Sequence, residues 1–308
     1  MKNPEQKTIQ TETEAEIDVE RKEALEQAEA ENEVTLTKER DHITKLFLEL
    51  GIDIKAVHPN IVRKLRLLNE KTKKFFEDEE QALHLARMLF RYYEEKLPDG
   101  VFTEEEKRIV LVGTIFTDIG KTGPRDATPE QEELILSIFN VESKKPGQAE
   151  TLSLQTYLQI NFPDKYNNMI EKISVISGLS PEMTMRQFWN MHSQWTLDII
   201  SGDGVPSEAI AAAAAHHLLE GVNPEEIVGK DGRFTRYFGA NISFDRPEKL
   251  IIILDKYYAA RRRSDATHEE AIKFVSNKIK SNKWFSKDKE FEELLNNLDA
   301  MLLNDGGV

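Results

Sequence analysis

The sequence predicts an all-α protein: a helical bundle with an N-terminal helical extension, preceded by a flexible acidic tail. Three observations lead there. Apolar residues recur at intervals of three and four in segment after segment. Almost no stretch alternates with a period of two, as a strand would require. Helix start and stop signals fall at the ends of the periodic segments.

Residues 1–40 are rich in Glu, Thr, Lys and Gln with few large apolar side chains, so burial there cannot offset the entropy of ordering. From Asp41 the pattern changes: Ile43, Leu46, Phe47 and Leu50 follow at helical spacing until Gly51 stops the run. This opens a helical extension over 41–76, followed by a main domain over 77–285 and a C-terminal helix over 286–308. Helices are expected over 60–76, 79–97, 104–119, 129–140, 151–160, 165–178, 182–201, 207–220, 246–263, 267–282 and 287–303. Thr103 with Glu106 is a capping box, and Ser180 before Pro181 places proline where a helix begins. Gly120 and Gly221 fall where helices should end. The alanine run 211–215 lets one helix pack closely on a neighbour, whereas 221–244, with four glycines, reads as a long loop near the site.

Composition narrows the chemistry. The absence of cysteine excludes disulfides, thiolate metal sites and cysteine nucleophiles, so any metal must sit on imidazole and carboxylate. No apolar run approaches the roughly 20 residues that span a bilayer, and the start MKNPEQKTIQTETEAEIDVE lacks the apolar core of a signal peptide. Both point to the cytoplasm and away from a membrane partner. A formal net charge of -14 argues against duplex nucleic acid, which needs a basic face. The one dense basic run is Arg261, Arg262 and Arg263.

Of the seven histidines, His84, His192, His216 and His217 lie inside expected helices among apolar neighbours, in EQALHLARMLF, FWNMHSQWTLDII and AIAAAAAHHLLE. A lone histidine in such a place is usually a hydrogen-bonded core residue. Two carboxylates share the habit, however: Asp118 ends RIVLVGTIFTDIGK and Asp255 lies inside KLIIILDKYYAA. A carboxylate in an apolar run is costly to bury unless paired or bound to a cation, and a divalent metal accounts for all six positions together. His42, His58 and His268 stand beside charged or turn-forming residues and are expected to be exposed.

The ordered set resembles the HD superfamily of metal-dependent phosphohydrolases. A histidine in a helix is followed by an apolar helix ending in DIGK, a later histidine, a double histidine and a late aspartate. The likeness is closer to the HD-GYP branch, whose members hydrolyse cyclic dinucleotides on two or three metals, and it covers roughly residues 75–280. The resemblance implies that His84 is the first-helix ligand, Asp118 the bridging aspartate, His192 the middle-helix histidine, His216 and His217 the double-histidine ligands, and Asp255 the late aspartate. Glu80, one turn before His84, matches the extra carboxylate of some members. Lys121 matches the lysine that contacts substrate phosphate, and one of Arg261 to Arg263 is set to reach a phosphate. Two departures stand out: Thr117 replaces the signature histidine, and LLEGVNP keeps Gly221 and Pro224 of the glycine-tyrosine-proline loop without the tyrosine.

Two functional expectations follow. In the first, one or two divalent ions such as Fe or Mn support hydrolysis of a phosphoester, nucleotide or cyclic dinucleotide by metal-activated hydroxide. Asp118, His192, His216 and His217 form the intact site, the second is weakened at Thr117, and Lys121 clamps the phosphate. In the second, the chain is a degenerate member of the family that binds a nucleotide or a protein partner in signalling. A blander alternative is a helical scaffold whose histidines merely satisfy core hydrogen bonds. A homodimer is compatible with all three.

Overall fold

The computed structural model describes residues 42–141, 146–201, 204–236, 244–264 and 266–304, without the side chains of 73–78, 146–147, 208 and 263–264. The expected tail over 1–40 lies outside the described residues. Those residues are all-helical, with no strand among them and two isolated bridges, Ser153 with Thr184 and Val228 with Phe234.

The helices are α1 (42–49), α2 (Pro59–Lys71), α3 (Lys73–Lys96), α4 (Glu104–Phe116), α5 (Pro129–Phe139), α6 (Pro146–Ala149) and α7 (Leu154–Asn161). They continue as α8 (Tyr166–Ser174), α9 (Met185–Ile200), α10 (Ser207–Ala215), α11 (Arg246–Ser264), α12 (His268–Ser281) and α13 (Lys289–Asn304). Reciprocal capping boxes start four of them, through Thr103 with Glu106, Thr128 with Gln131, Thr184 with Gln187, and Thr267 with Glu270. Thr184, not the Ser180-Pro181 pair, therefore begins α9.

One continuous apolar core runs from Ile43 on α1 to Leu302 on α13. At its centre α10 packs on α4, α9 and α11. Residues 211–215 are fully buried alanines, and a β-carbon on the facing Gly113 of α4 would stand 3.0 Å from Ala212 Cβ. Small residues on both sides bring the two helix axes close, as the alanine run predicts.

Three local features differ from expectation and place the site. First, α10 stops at Ala215, so His216 and His217 occupy a turn before a 3-10 segment at Leu218–Glu220. Gly221 ends that segment in the left-handed region, with φ at 80°, a conformation that glycine adopts without steric cost. Second, α4 stops at Phe116, and a 3-10 turn at Ile119–Thr122 follows. Third, Gly120 is no helix cap. It lies in that turn against α9, where a β-carbon would overlap His192 O and stand 2.6 Å from Thr196 N. Only glycine lets the two backbones approach so closely.

The outer side of the turn is clamped as well. The buried Glu132 of α5 accepts from Lys64 at 2.6 Å and from both terminal nitrogens of Arg63, and Lys64 also reaches Pro124 O at 3.0 Å. Beyond Gly221, Glu225 and Glu226 adopt positive φ values of 48° and 53°. Such backbone is strained for residues other than glycine, and Gln194 of α9 tethers it by donating to Glu225 at 2.9 Å.

Candidate metal centre

Four side chains from three segments converge on one buried point. His192 projects from the middle of α9, His216 and His217 follow α10, and Asp118 lies between α4 and its 3-10 turn. Close packing of α10 on α4 sets the double histidine beside Asp118. The hydroxyl of Thr196 fixes the remaining distance by donating to Thr117 O at 3.0 Å and accepting from Gly120 N at 3.1 Å.

His192 Nε2 lies 3.1 Å from His216 Nε2 and 3.0 Å from His217 Nε2. Asp118 Oδ1 stands 3.5 Å from His192 Nε2 and 4.0 Å from His216 Nε2. The other ring nitrogens settle the tautomers. His192 Nδ1 faces Trp189 O, His216 Nδ1 faces Ala213 O, and His217 Nδ1 faces the Glu220 carboxylate. These oxygens only accept, so each Nδ1 carries the proton and each Nε2 presents a lone pair to the centre. Lone pairs at 3.0–3.1 Å repel one another unless a cation stands among them. The carboxylate-histidine pairing of Glu220 with His217 is the support that metal-binding imidazoles require. Phe139 covers one side of His192 edge-on at 5.8 Å.

The electrostatics agree. Burial pushes His192 well below the ordinary imidazole value and His216 down to about 3, so both rings are neutral and able to ligate. Burial also opposes ionisation of Asp118, but the Lys121 ammonium overrides it and holds the carboxyl far below its usual range. Asp255 is lowered to about 2 against the same burial penalty, chiefly by Lys256.

The expected residues therefore divide. Asp118, His192, His216 and His217 meet directly, Lys121 is ion-paired to Asp118, and Asp255 is close enough for its charge to act on His216 and to feel Asp118. His84 and Glu80 are different: both are exposed, and Glu80 faces His42 at 3.5 Å. The buried arc of α3 runs through Ala82, Leu83, Leu85, Ala86, Leu89, Phe90 and Tyr93, which leaves 80, 84, 87 and 91 on the solvent arc. No described contact joins either residue to the cluster. Thr117 is buried and its hydroxyl donates back to Thr114 O at 2.9 Å, so it supplies no ligand. Arg261 is half-buried near Tyr257, Arg262 is exposed, and the side chain of Arg263 lies outside the described residues. His268, expected at the surface, is largely buried between Asp299 at 2.8 Å and the Tyr257 hydroxyl at 3.1 Å because α13 packs over it.

Sequence reasoning passed over Glu220, Lys256 and Thr196. The first two could have been found: Glu220 lies three positions after His217, one helical turn away, and Lys256 shares the apolar run that singled out Asp255. On the adjoining face of α9, a cleft of about 390 Å³ is lined by Gln187, Asn190, Met191 and Gln194 together with Asn223 and Pro224.

The chain has no significant match among protein-family models, curated proteins or solved structures. Its class is defined by its own structure: an all-helical protein with a buried three-histidine group that could hold a metal ion. Among the described residues no helix is long and apolar enough to cross a membrane.

Proposed function

We propose that the chain is a metal-dependent phosphohydrolase of the HD type, acting in the cytoplasm on a phosphoester such as a nucleotide or cyclic dinucleotide. The observation that carries this reading is the convergence of three imidazole lone pairs and one ionised carboxylate on a single buried point. Neutral nitrogens with one oxygen suit Fe, Mn or a similar divalent ion, and Asp118, His192, His216 and His217 would hold it. When bound, such an ion supplies Lewis acidity at a phosphoryl oxygen and makes a water nucleophilic near neutral pH.

The chain contributes the remainder. Lys121 orients Asp118 through their ion pair and, being partly exposed, can reach the non-bridging oxygens of a phosphoester. Glu220 fixes the His217 ring, Trp189 O and Ala213 O fix the other two, and Phe139 keeps water from one flank of His192. Purified with Mn or Fe, the protein is expected to hydrolyse bis-p-nitrophenyl phosphate or a member of a cyclic dinucleotide panel, and Asp118→Ala is expected to abolish this. Turnover that survives Asp118→Ala refutes the proposal.

A second reading is favoured by the lysines paired with Asp118 and Asp255, since they neutralise carboxylates that paired metals would use. On that reading the protein binds a nucleotide or partner without turnover. As-purified metal below about a tenth of an equivalent supports it.

A further inference from the structure

Lys256 is next to Asp255 on α11 and is 3% exposed, a place where an ammonium is costly unless it is fully paired. Its Nζ lies 2.7 Å from Asp255 Oδ2 and 2.9 Å from Glu220 Oε2, while His217 Nδ1, 3.0 Å away, gives its proton to Glu220 and takes none from the ammonium. It therefore stands immediately behind one ligand histidine, held by Asp255 and by Glu220, whose carboxylate lone pairs not already engaged by His217 would otherwise be open to a hard cation. The other candidates for a second metal shell do not converge there. Thr117 is turned back on Thr114 O, and His84 and Glu80 sit on the exposed arc of α3.

The local charge count makes the consequence explicit. Asp118, Asp255 and Glu220 bring three negative charges, Lys121 and Lys256 bring two positive ones, and an imidazole that ligates a metal through a lone pair brings none, so the centre carries one net negative charge. One divalent ion reverses that to a single positive charge. A second would leave three positive charges in a buried site with no anion to balance them.

We propose that the Lys256 ammonium is a built-in counter-cation occupying the carboxylates of a second metal position, so that the chain takes up one divalent ion and excludes another. This rests on the metal-site reading of the preceding subsection. Lys256 acts through Asp255, Glu220 and His217 rather than on substrate.

The test is equilibrium dialysis of the full chain against excess Mn²⁺, followed by elemental analysis and electron paramagnetic resonance. The wild type is expected to hold one Mn per chain with an uncoupled signal. Lys256→Gln is expected to hold two, with the exchange-coupled signal of neighbouring Mn ions. The double variant Lys256→Gln/Glu220→Gln, which removes a carboxylate along with the ammonium, is expected to return to one. A wild type that binds no Mn overturns the metal-site reading itself. A wild type that binds two overturns the role of Lys256 alone and leaves the site standing. A folded Lys256→Gln that still binds one also overturns that role. Should Lys256→Gln fail to fold, Lys256→Met, closer in shape, takes its place, and the wild-type count still decides.

Discussion

Replacing Gly120 with alanine probes the contact that sets the Asp118 turn against α9. The added methyl would overlap His192 O and sit 2.6 Å from Thr196 N and 2.7 Å from Thr196 Oγ1. Two of these atoms are backbone and cannot rotate away. Ordinary contact requires about 3.5 Å, so the turn must retreat by on the order of 1 Å. Overpacking of this kind costs about 1–3 kcal/mol, and losing the bond from Gly120 N to Thr196 Oγ1 adds about 1 kcal/mol. A total of about 2–4 kcal/mol lowers the melting temperature by roughly 5–15 °C in a chain of this size. The same retreat carries Asp118 away from His192, so Mn²⁺ affinity is expected to fall by about tenfold or more. Gly232→Ala is the control, since its φ is +75° and nothing stands within 4 Å of an added methyl. It costs about 1–2 kcal/mol through backbone strain alone and leaves Mn²⁺ affinity unchanged. Thermal unfolding followed by circular dichroism and calorimetric titration with Mn²⁺ measure both effects. A Gly120→Ala protein that melts with the wild type, or that melts low yet binds Mn²⁺ as the wild type does, refutes the reasoning.

Three further outcomes are expected. Glu220→Gln removes the carboxylate behind His217 and should weaken Mn²⁺ binding by about 10–100-fold in the same titration; unchanged affinity counts against the tautomer assignment. Lys64→Met leaves the buried Glu132 with Arg63 alone and should destabilise the fold by about 3 kcal/mol in urea unfolding, against less than about 1 kcal/mol if the pair is idle. Burial pushes Glu248 up to about 8 from 4.5, so between those values the folded chain keeps a proton that the unfolded chain releases. Stability contributed by this group is complete below pH 4.5 and is lost as pH rises toward 8. The slope of that loss is about 1.4 kcal/mol per pH unit. Glu248→Gln should flatten it in urea unfolding at a series of pH values, and an unaltered slope would show that burial does not hold the proton.

The part of the site most legible in the sequence was the part built on contradiction. His192, His216, His217 and Asp118 are polar groups inside apolar runs, and the energetic objection to burying them unpaired is what drew attention to them. The same argument misled at His84, because apolar neighbours on both sides do not fix the phase of a helix. One residue turns a helix by about 100°, enough to separate Leu83 and Leu85 in the core from His84 in solvent. Gly120 was legible as punctuation but not in its role, since its constraint comes from a helix more than 70 positions away. Glu220, at an expected helix end, and Lys256, inside a helix, were passed over because charge ordinarily means surface. Helix content and the close packing of the alanine run were readable because periodicity and side-chain size are local properties, although the partner helix was not. The stopping points at Phe116 and Ala215 were not, because they depend on what the following turns must reach.

The continuity of the apolar core has a practical consequence for anyone cutting the gene. Because Phe47 of α1 and Leu298 of α13 are sealed into the same interior as Ala212, neither of these helices can be trimmed as an accessory. Shortened versions starting after α1 or stopping before α13 would expose a wall of aliphatic side chains. Such fragments should precipitate during expression and would not yield a smaller working unit.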